Sequence, residues 1–291
     1  MRVASIVAMS WACSDRVPAY DLDFDVPRSE AFAPLLSDYG LYQEPAASLE
    51  PAADVLLYEL SSELFTDYAR KQRLVRVPEG SSVSLVDDTL AFPEGTVLAK
   101  TFYYPDDMRS ASSSRRILET RLLVKTEGLW NAATYLWNEP QTEATLLLTG
   151  WTTETTWIDP EGQSRTTEYV VPHEGECVTC HQADDTAVFL GPTLVNLNRP
   201  VMRDGIEQNQ LDYLASEGVL EVGAGAAMPS VPDYRDATVP LDERVRAYLD
   251  INCAHCHNPG GWEEATEREL DVRFTTPLIR TGIERKADEL P

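Results

Sequence analysis

The stretch EATLLLTGWTTETTWIDPEG, residues 143–162, shows the pattern on which the predicted fold depends. It is rich in Leu, Thr and Trp, which favour strands, and it ends in a turn signal at residues 159–162. Comparable runs separated by turns extend from about residue 73 to 171: RLVRVPEG, GTVLAKTFYY, ETRLLVKT, ATYLWN and TTEYVVP. Their spacing predicts an antiparallel sheet or sandwich.

The composition is that of a folded and strongly acidic protein. The 291 residues are 43% hydrophobic, enough for one large domain or two modest ones. With 24 basic and 48 acidic residues the net charge is −24. This balance disfavours nucleic acid and anionic lipid as partners, because binding to either needs an excess of Lys and Arg. A well-solvated surface is the simpler interpretation of this charge, and a cationic redox protein is the kind of partner that it favours.

After residue 172 the sequence pattern changes from strand-like to helical. QNQLDYLASEGVL, residues 208–220, has Leu residues near helical spacing and a Gly that would stop a helix. PLDERVRAYLDINC, residues 240–253, has a leading Pro, acidic residues in its first turn, and Val245, Tyr248 and Leu249 on one face. Both segments are predicted to be helices.

Two Cys-x-x-Cys-His motifs use four of the five cysteines, at residues 177–181 and 253–257. Cysteines three apart on a helical turn share one face, so both thiols can bond to the two vinyl-derived carbons of one porphyrin. The next histidine is then held over the ring, where it binds the iron. The motifs predict two covalent haem c groups. The expected attachment residues and iron ligands are Cys177, Cys180, Cys253 and Cys256, with His181 and His257.

Other uses of these cysteines are less consistent with the sequence. A zinc site usually takes two such pairs from within a short loop, whereas more than seventy residues separate these, and both histidines would be unexplained. A thioredoxin-like redox pair belongs to a βαβ pattern, which is absent from this sequence. Zinc stays the main alternative to haem.

The second axial ligand of each iron would separate an electron carrier from a catalyst. Met228, in the loop AAMPSVP, is the best candidate to bind the iron on His181, with His173 and Met202 as runners-up. The alternative is that Met228 packs beneath its loop. No Met or His follows His257.

The second iron therefore takes a ligand from upstream, from another chain or from a poorer donor such as Lys286, or it stays five-coordinate. An open iron can bind peroxide, so a peroxidase-like enzyme is the alternative to a carrier.

The amino terminus, MRVASIVAMSWACSD, resembles a short secretion signal that ends in a lipoprotein-type cysteine, Cys13. The alternative is an ordinary cysteine in a frayed terminus. Haem c is attached outside the cytoplasm, so the two motifs favour export. We expect a lipoprotein of the periplasm, outer membrane or cell surface that is anchored at Cys13.

Several stretches resemble the di-haem c-type cytochromes of bacteria. They include LLYELSSELFTDYARKQRLVRVPEG, WNAATYLWNEPQTEATLL, LGPTLVNLNR and RVRAYLDINCAHCHNPGG, and with the motifs they span residues 56–261. The resemblance implies an exported, often lipid-anchored electron carrier. Typical members continue past the second motif with a Met-Pro segment and a terminal helix. This chain is therefore expected to be a fragment, or to have an unusually open second haem.

These inferences combine into one expected architecture. The fold class is α+β, with an antiparallel β-rich N-terminal region followed by a small, mostly helical cytochrome c-like region. Residues 1–15 form a signal segment, 16–171 the β-rich domain, 172–239 the first haem-binding segment and 240–291 the second, incomplete one. The expected function is electron transfer between redox partner proteins.

Overall fold

A computed structural model provides the structure of the chain. It describes residues 32–86, 89–173, 182–183, 186–187, 190, 192–221, 228–259 and 270–283.

A six-stranded antiparallel sheet forms the centre of the molecule. Its strands follow the order β1-β2-β5-β6-β7-β8. They are β1 (Leu56–Leu57), β2 (Arg70–Arg76), β5 (Val97–Pro105), β6 (Arg115–Thr126), β7 (Leu129–Trp137) and β8 (Ala144–Leu147). The longest pairing, β6 with β7, turns at Glu127-Gly128, where both residues have positive φ, 54° and 80°. Such a two-residue turn matches the twist of the flanking strands.

Four two-stranded hairpins accompany this sheet. They are β3 (Ser84–Val86) with β4 (Thr89–Ala91), β9 (Trp151–Ile158) with β10 (Ser164–Val171), β11 (Gln182–Ala183) with β12 (Thr186–Ala187), and β13 (Pro200–Arg203) with β14 (Ile206–Asn209). The α-helices in the described ranges are α1 (Leu194–Leu197), α2 (Gln210–Ser216) and α3 (Leu241–Cys253).

The central sheet is buried on both faces. Successive side chains of a strand point to opposite faces, so Leu74 packs with one cluster and Val75 with another. The first cluster includes Leu36, Leu41 and other side chains of the segment before β1. The second joins the sheet to α1, α2 and the β3–β4 hairpin. A third, around Tyr104, holds the β9–β10 hairpin against β5.

The predicted fold class, α+β with a helical second region, is wrong. The described structure is mainly antiparallel β, with 36% strand and 16% helix when 3-10 turns are included, and its residues after 171 do not form a helical cytochrome c-like region. One reason is the β13–β14 hairpin, which turns at Asp204-Gly205 with φ of 51° and 77°. Another is that residues 228–240 and 270–277 have neither helix nor strand.

Helices α2 and α3 were predicted at about the right places. Helix α2 lies within the predicted segment 208–220, and the side-chain oxygen of Asn209 caps it by accepting from the Leu211 N–H. Helix α3 covers all but the first residue of the predicted segment 240–253. No helix within the described ranges has the length and apolar character needed to span a bilayer.

Candidate functional site

Helix α3 carries the second Cys-x-x-Cys-His motif at its carboxyl end. The helix begins after Pro240, and Asp242 and Glu243 lie in its first turn, where the helix dipole stabilises carboxylates. It ends at Cys253, the first cysteine of the motif. The helix therefore fixes the backbone from which this thiol projects.

The motif adds one further turn to α3. The backbone N–H groups of Cys256 and His257 both donate to the carbonyl oxygen of Cys253, over 3.1 Å and 2.9 Å. Ala254, between the two cysteines, is buried and has helical backbone angles, φ −69° and ψ −18°. Both thiols are half-buried. Two thiols and an imidazole on one helical turn meet the backbone requirement for attaching a single planar ligand at two points.

His257 has an imidazole nitrogen that the described residues leave unsatisfied. Its Nδ1 is buried and has no hydrogen-bond partner within the described ranges. A buried polar atom in this state costs about 1–3 kcal/mol, so it calls for an explanation such as a ligand or a bound water. Burial, and then the neighbouring His257, lowers the pKa of His255, which keeps that imidazole neutral at pH 7. His255 is half-buried and lies between the two cysteines.

The C-terminal segment, residues 270–283, is attached to this turn and to α3. The Val272 N–H donates to the carbonyl oxygen of His257 over 3.1 Å, and Val272 itself is buried. The Phe274 N–H donates to a carboxylate oxygen of Asp250 over 2.8 Å. The first bond fixes the backbone of the imidazole-bearing residue, and the second attaches the segment to α3.

Four aromatic side chains, here called the aromatic rim, lie near the motif: Phe65, Tyr68, Tyr234 and Tyr248. The rings of Phe65 and Tyr68 are 5.1 Å apart and those of Tyr234 and Tyr248 5.2 Å, both edge to face. Burial raises the pKa of Tyr248, and the adjacent Cys253 and Tyr68 raise it further, so these three groups are neighbours. Phe65, Tyr68 and Tyr248 are 43%, 61% and 39% exposed. The rim gives the motif an accessible apolar border.

The β region supplies half of this rim through the loop that precedes β2. The Phe65 N–H donates over 2.7 Å to the side-chain oxygen of Asn252, the residue before Cys253. Asp67 and Tyr68 both have positive φ, 41° and 67°, which costs a non-glycine residue about 1–2 kcal/mol each. The Tyr104 hydroxyl donates to the Asp67 carbonyl oxygen and helps to hold this backbone. The sequence analysis did not identify Phe65, Tyr68 or Asn252, because no local pattern relates them to the motif.

The other predicted site residues are placed as follows. Cys177, Cys180 and His181 lie outside the described residues, so the first motif stays a prediction, as does the role of Lys286. Cys13 lies in the undescribed first 31 residues.

Met228 is half-buried and packs against the core cluster shared by the sheet and α2. Its carbonyl oxygen accepts a hydrogen bond of 2.7 Å from the Asn198 side chain. This is the packing that the sequence analysis weighed against iron ligation, which stays a prediction. Of the runners-up, Met202 is 57% exposed on β13 and His173 is exposed just after β10.

Comparisons of the chain with protein-family models, with curated proteins and with solved structures gave no match. Within the described ranges no group of three or more His, Cys, Asp or Glu side chains is arranged to hold a metal ion. The candidate site therefore depends on the motif, on the turn that carries it and on the surfaces around that turn.

Proposed function

We propose that this protein is an extracytoplasmic di-haem c-type cytochrome that carries electrons between redox partners. The observation that carries the proposal is the turn after α3, where Cys253, Cys256 and His257 share one set of helical backbone bonds. The half-buried thiols of Cys253 and Cys256 and the exposed rings of Phe65, Tyr68 and Tyr248 fit a planar apolar ligand at this place. When bound, haem c would supply reversible one-electron chemistry at its iron.

Different residues of the chain would attach this group and fix the backbone around it. Cys253 and Cys256 would form the two thioether bonds, and the imidazole of His257 would bind the iron. Asn252 fixes the end of α3 against the β region through its bond to the Phe65 backbone. Val272 fixes the backbone of His257. With the end of the helix and its own backbone fixed in this way, the imidazole of His257 would keep its orientation when the charge of the bound group changes, which would limit the reorganisation that electron transfer requires.

The charge of the chain supports a cationic partner. At −24 the protein would attract a basic redox protein over a long range and raise the rate of encounter. The amino-terminal segment with Cys13 supports export and a lipid anchor as part of the same proposal.

The test is a haem stain and an intact mass of protein matured in a host that has the haem c attachment machinery. We expect two haem-sized additions. A C253S/C256S variant should lose one and a C177S/C180S variant the other, while the matched variant C13S keeps both. Wild-type protein with no addition would falsify the proposal.

The ferric spectrum of the same preparation then separates a carrier from the peroxidase-like alternative. Two low-spin, six-coordinate centres are expected for a carrier. A high-spin centre that binds cyanide or peroxide would instead support an enzyme with an open second iron.

A further inference from the structure

A cavity of about 390 Å³ lies at the open edge of the central sheet. Strand β1 pairs with β2 only at Leu56↔Val75 and Leu57↔Leu74, after which the chain leaves the sheet. The gap beside the first residues of β2 is closed by residues 58–63 and by side chains from the second half of the chain, such as Arg199 and Arg235. Its volume is in the range of small-molecule sites.

The lining of this cavity is basic although the protein is acidic. Six cationic side chains face three acidic ones, an excess of three positive charges in a chain of net charge −24. The cations are Arg70, Lys71, Arg73, Arg115, Arg199 and Arg235, and the acids are Glu59, Glu63 and Asp233. Strand β2, strand β6 and two loops of the second half each contribute cations, so the positive charge surrounds the space.

The carboxylates in the lining are shared between several guanidinium groups. Glu63 pairs with Arg73 at 2.6 Å and with Arg235 at 3.1 Å. Glu59 pairs with Arg199 at 3.6 Å and with Arg203, just outside the lining, at 3.0 Å. Asp233 also pairs with Arg235 at 3.1 Å, so three carboxylates serve four guanidinium groups. The six cations of the lining outnumber its three acids, which leaves the cavity positive.

Arg73 has an unsatisfied donor in this wall. Its side chain is 5% exposed, and its Nη1 donates to Glu63. Its Nη2 is buried with no hydrogen-bond partner in the described part of the chain. Leaving a charged donor unpaired away from water costs more than leaving a neutral one. An anion bound in the cavity would lower the cost of this buried positive charge.

The sheet adds to the positive potential behind Arg73. Arg73 pairs in register with Lys100 of β5, and Lys100 pairs with Arg121 of β6, so three cations lie side by side across the strands. Directly opposed like charges destabilise a sheet. Burial, followed by Arg73 and Arg121, holds the pKa of Lys100 well below its usual range. A negative ligand beside Arg73 would relieve this repulsion.

We propose that this cavity binds a small polyanion, a molecule with two or more carboxylate or phosphate groups. The anionic groups bind the cations that line the cavity, Arg73 among them. Arginine suits this role because its planar fork binds oxyanions in a bidentate manner. The inference depends on the cavity alone and not on haem attachment.

The test measures the thermal stability and calorimetric binding of the full chain with citrate, tricarballylate and pyrophosphate. Citrate and tricarballylate each have three carboxylates, and sodium chloride at equal ionic strength is the control for screening. Both should raise the Tm in a saturable way. Saturable binding of pyrophosphate would extend the site to phosphates.

Three variants locate the binding. R73K retains a charge beside Glu63 but loses the second nitrogen, and we expect its affinity for citrate to fall about tenfold or more. R70Q removes an exposed cation from the cavity lining and should weaken binding several-fold while the protein stays folded. R116Q is the matched control, because Arg116 forms an exposed ion pair with Glu139 away from the cavity. Equal binding by all three variants, or no Tm shift beyond that of sodium chloride, would overturn the inference.

Discussion

The central sheet and helix α3 differ in how completely their apolar side chains are covered. Leu122 and Tyr135 of the sheet are 1% and 0% exposed, whereas Val245 and Tyr248 of α3 are 47% and 39% exposed. The sheet carries its own stabilising packing on both faces. Helix α3 instead keeps apolar surface open next to the motif. This difference indicates that the sheet determines the fold and that the surface of α3 is available for another contact.

The prediction with the largest expected effect compares two side-chain truncations. Leu122→Ala should lower the free energy of unfolding by about 2–5 kcal/mol, because it leaves a cavity in the first core cluster. Val245→Ala should lower it by less than about 0.5 kcal/mol in haem-free protein. Urea unfolding followed by far-UV circular dichroism measures both. Equal losses would show that α3 is packed as tightly as the sheet.

The strand pattern predicted the central sheet and the helical period predicted α3, but the mostly helical region expected around α3 is wrong. Runs rich in Val, Leu, Thr, Tyr and Trp mark β5, β6 and β7, and the turn at Glu127-Gly128 fixes the register of β6 and β7. The hairpin at Asp204-Gly205 was missed although Asp-Gly between apolar residues is a known turn signal. The expectation of a mostly helical region overrode it.

Sequence analysis identified the motif but not the surfaces around it. Cys253 and His257 were identified from spacing, and the helix before them from its period. Their neighbours Phe65 and Asn252 are 187 residues apart in sequence, so only the folded chain brings them together. The cationic cavity was missed for the same reason, because its charges come from distant segments of an acidic chain.

The second prediction concerns acid stability and the loop that connects the two regions. Burial opposes the ionisation of Glu63, but Arg73, and then Arg235 and Lys71, outweigh it and lower its pKa from 4.5 to about 2. A carboxyl whose pKa is lower in the folded protein stabilises the fold above its unfolded pKa. That stabilisation, about 3 kcal/mol, is lost as the pH falls from about 4.5 towards 2.

The variant Glu63→Gln should flatten this part of the stability profile and destabilise the protein at neutral pH, because it leaves Arg73 buried without its carboxylate. Glu139→Gln is the matched control, since Glu139 is 80% exposed in its pair with Arg116. Urea unfolding at several pH values provides the measurement. A wild-type profile in the Glu63→Gln variant would exclude Glu63 as the source of the acid sensitivity.

The third prediction tests the bond that joins the β region to the motif. Asn252→Ala removes the acceptor of the Phe65 N–H and should cost about 1 kcal/mol of unfolding free energy. Asn252→Asp keeps an acceptor oxygen and should lose less. In matured protein the Ala variant should also shift the reduction potential of the second haem, which potentiometric titration detects. Identical stabilities for the Ala and Asp variants would show that this bond does not couple the two regions.

The smallest expected effect is a pH dependence of anion binding in the cavity. Burial lowers the pKa of Lys71 to about 8, a change that Glu63 opposes and that Arg73, Arg235 and Arg70 reinforce. A bound anion favours the charged form of Lys71, so binding is accompanied by proton uptake when the pH is near or above 8. The affinity for citrate should therefore fall by about threefold from pH 7 to 8.5.

Replacing this lysine by arginine isolates its contribution. Lys71→Arg retains the positive charge at all these pH values, so its affinity for citrate should stay constant where that of the wild type falls. Lys125→Arg is the matched control, because Lys125 donates to the Phe92 carbonyl oxygen outside the cavity lining and should keep the wild-type dependence. Calorimetry in two buffers of different protonation enthalpy also counts the protons taken up. If the wild type and the Lys71→Arg variant lose affinity equally with rising pH, the titrating group is not Lys71, and the positive charge of the cavity does not depend on it.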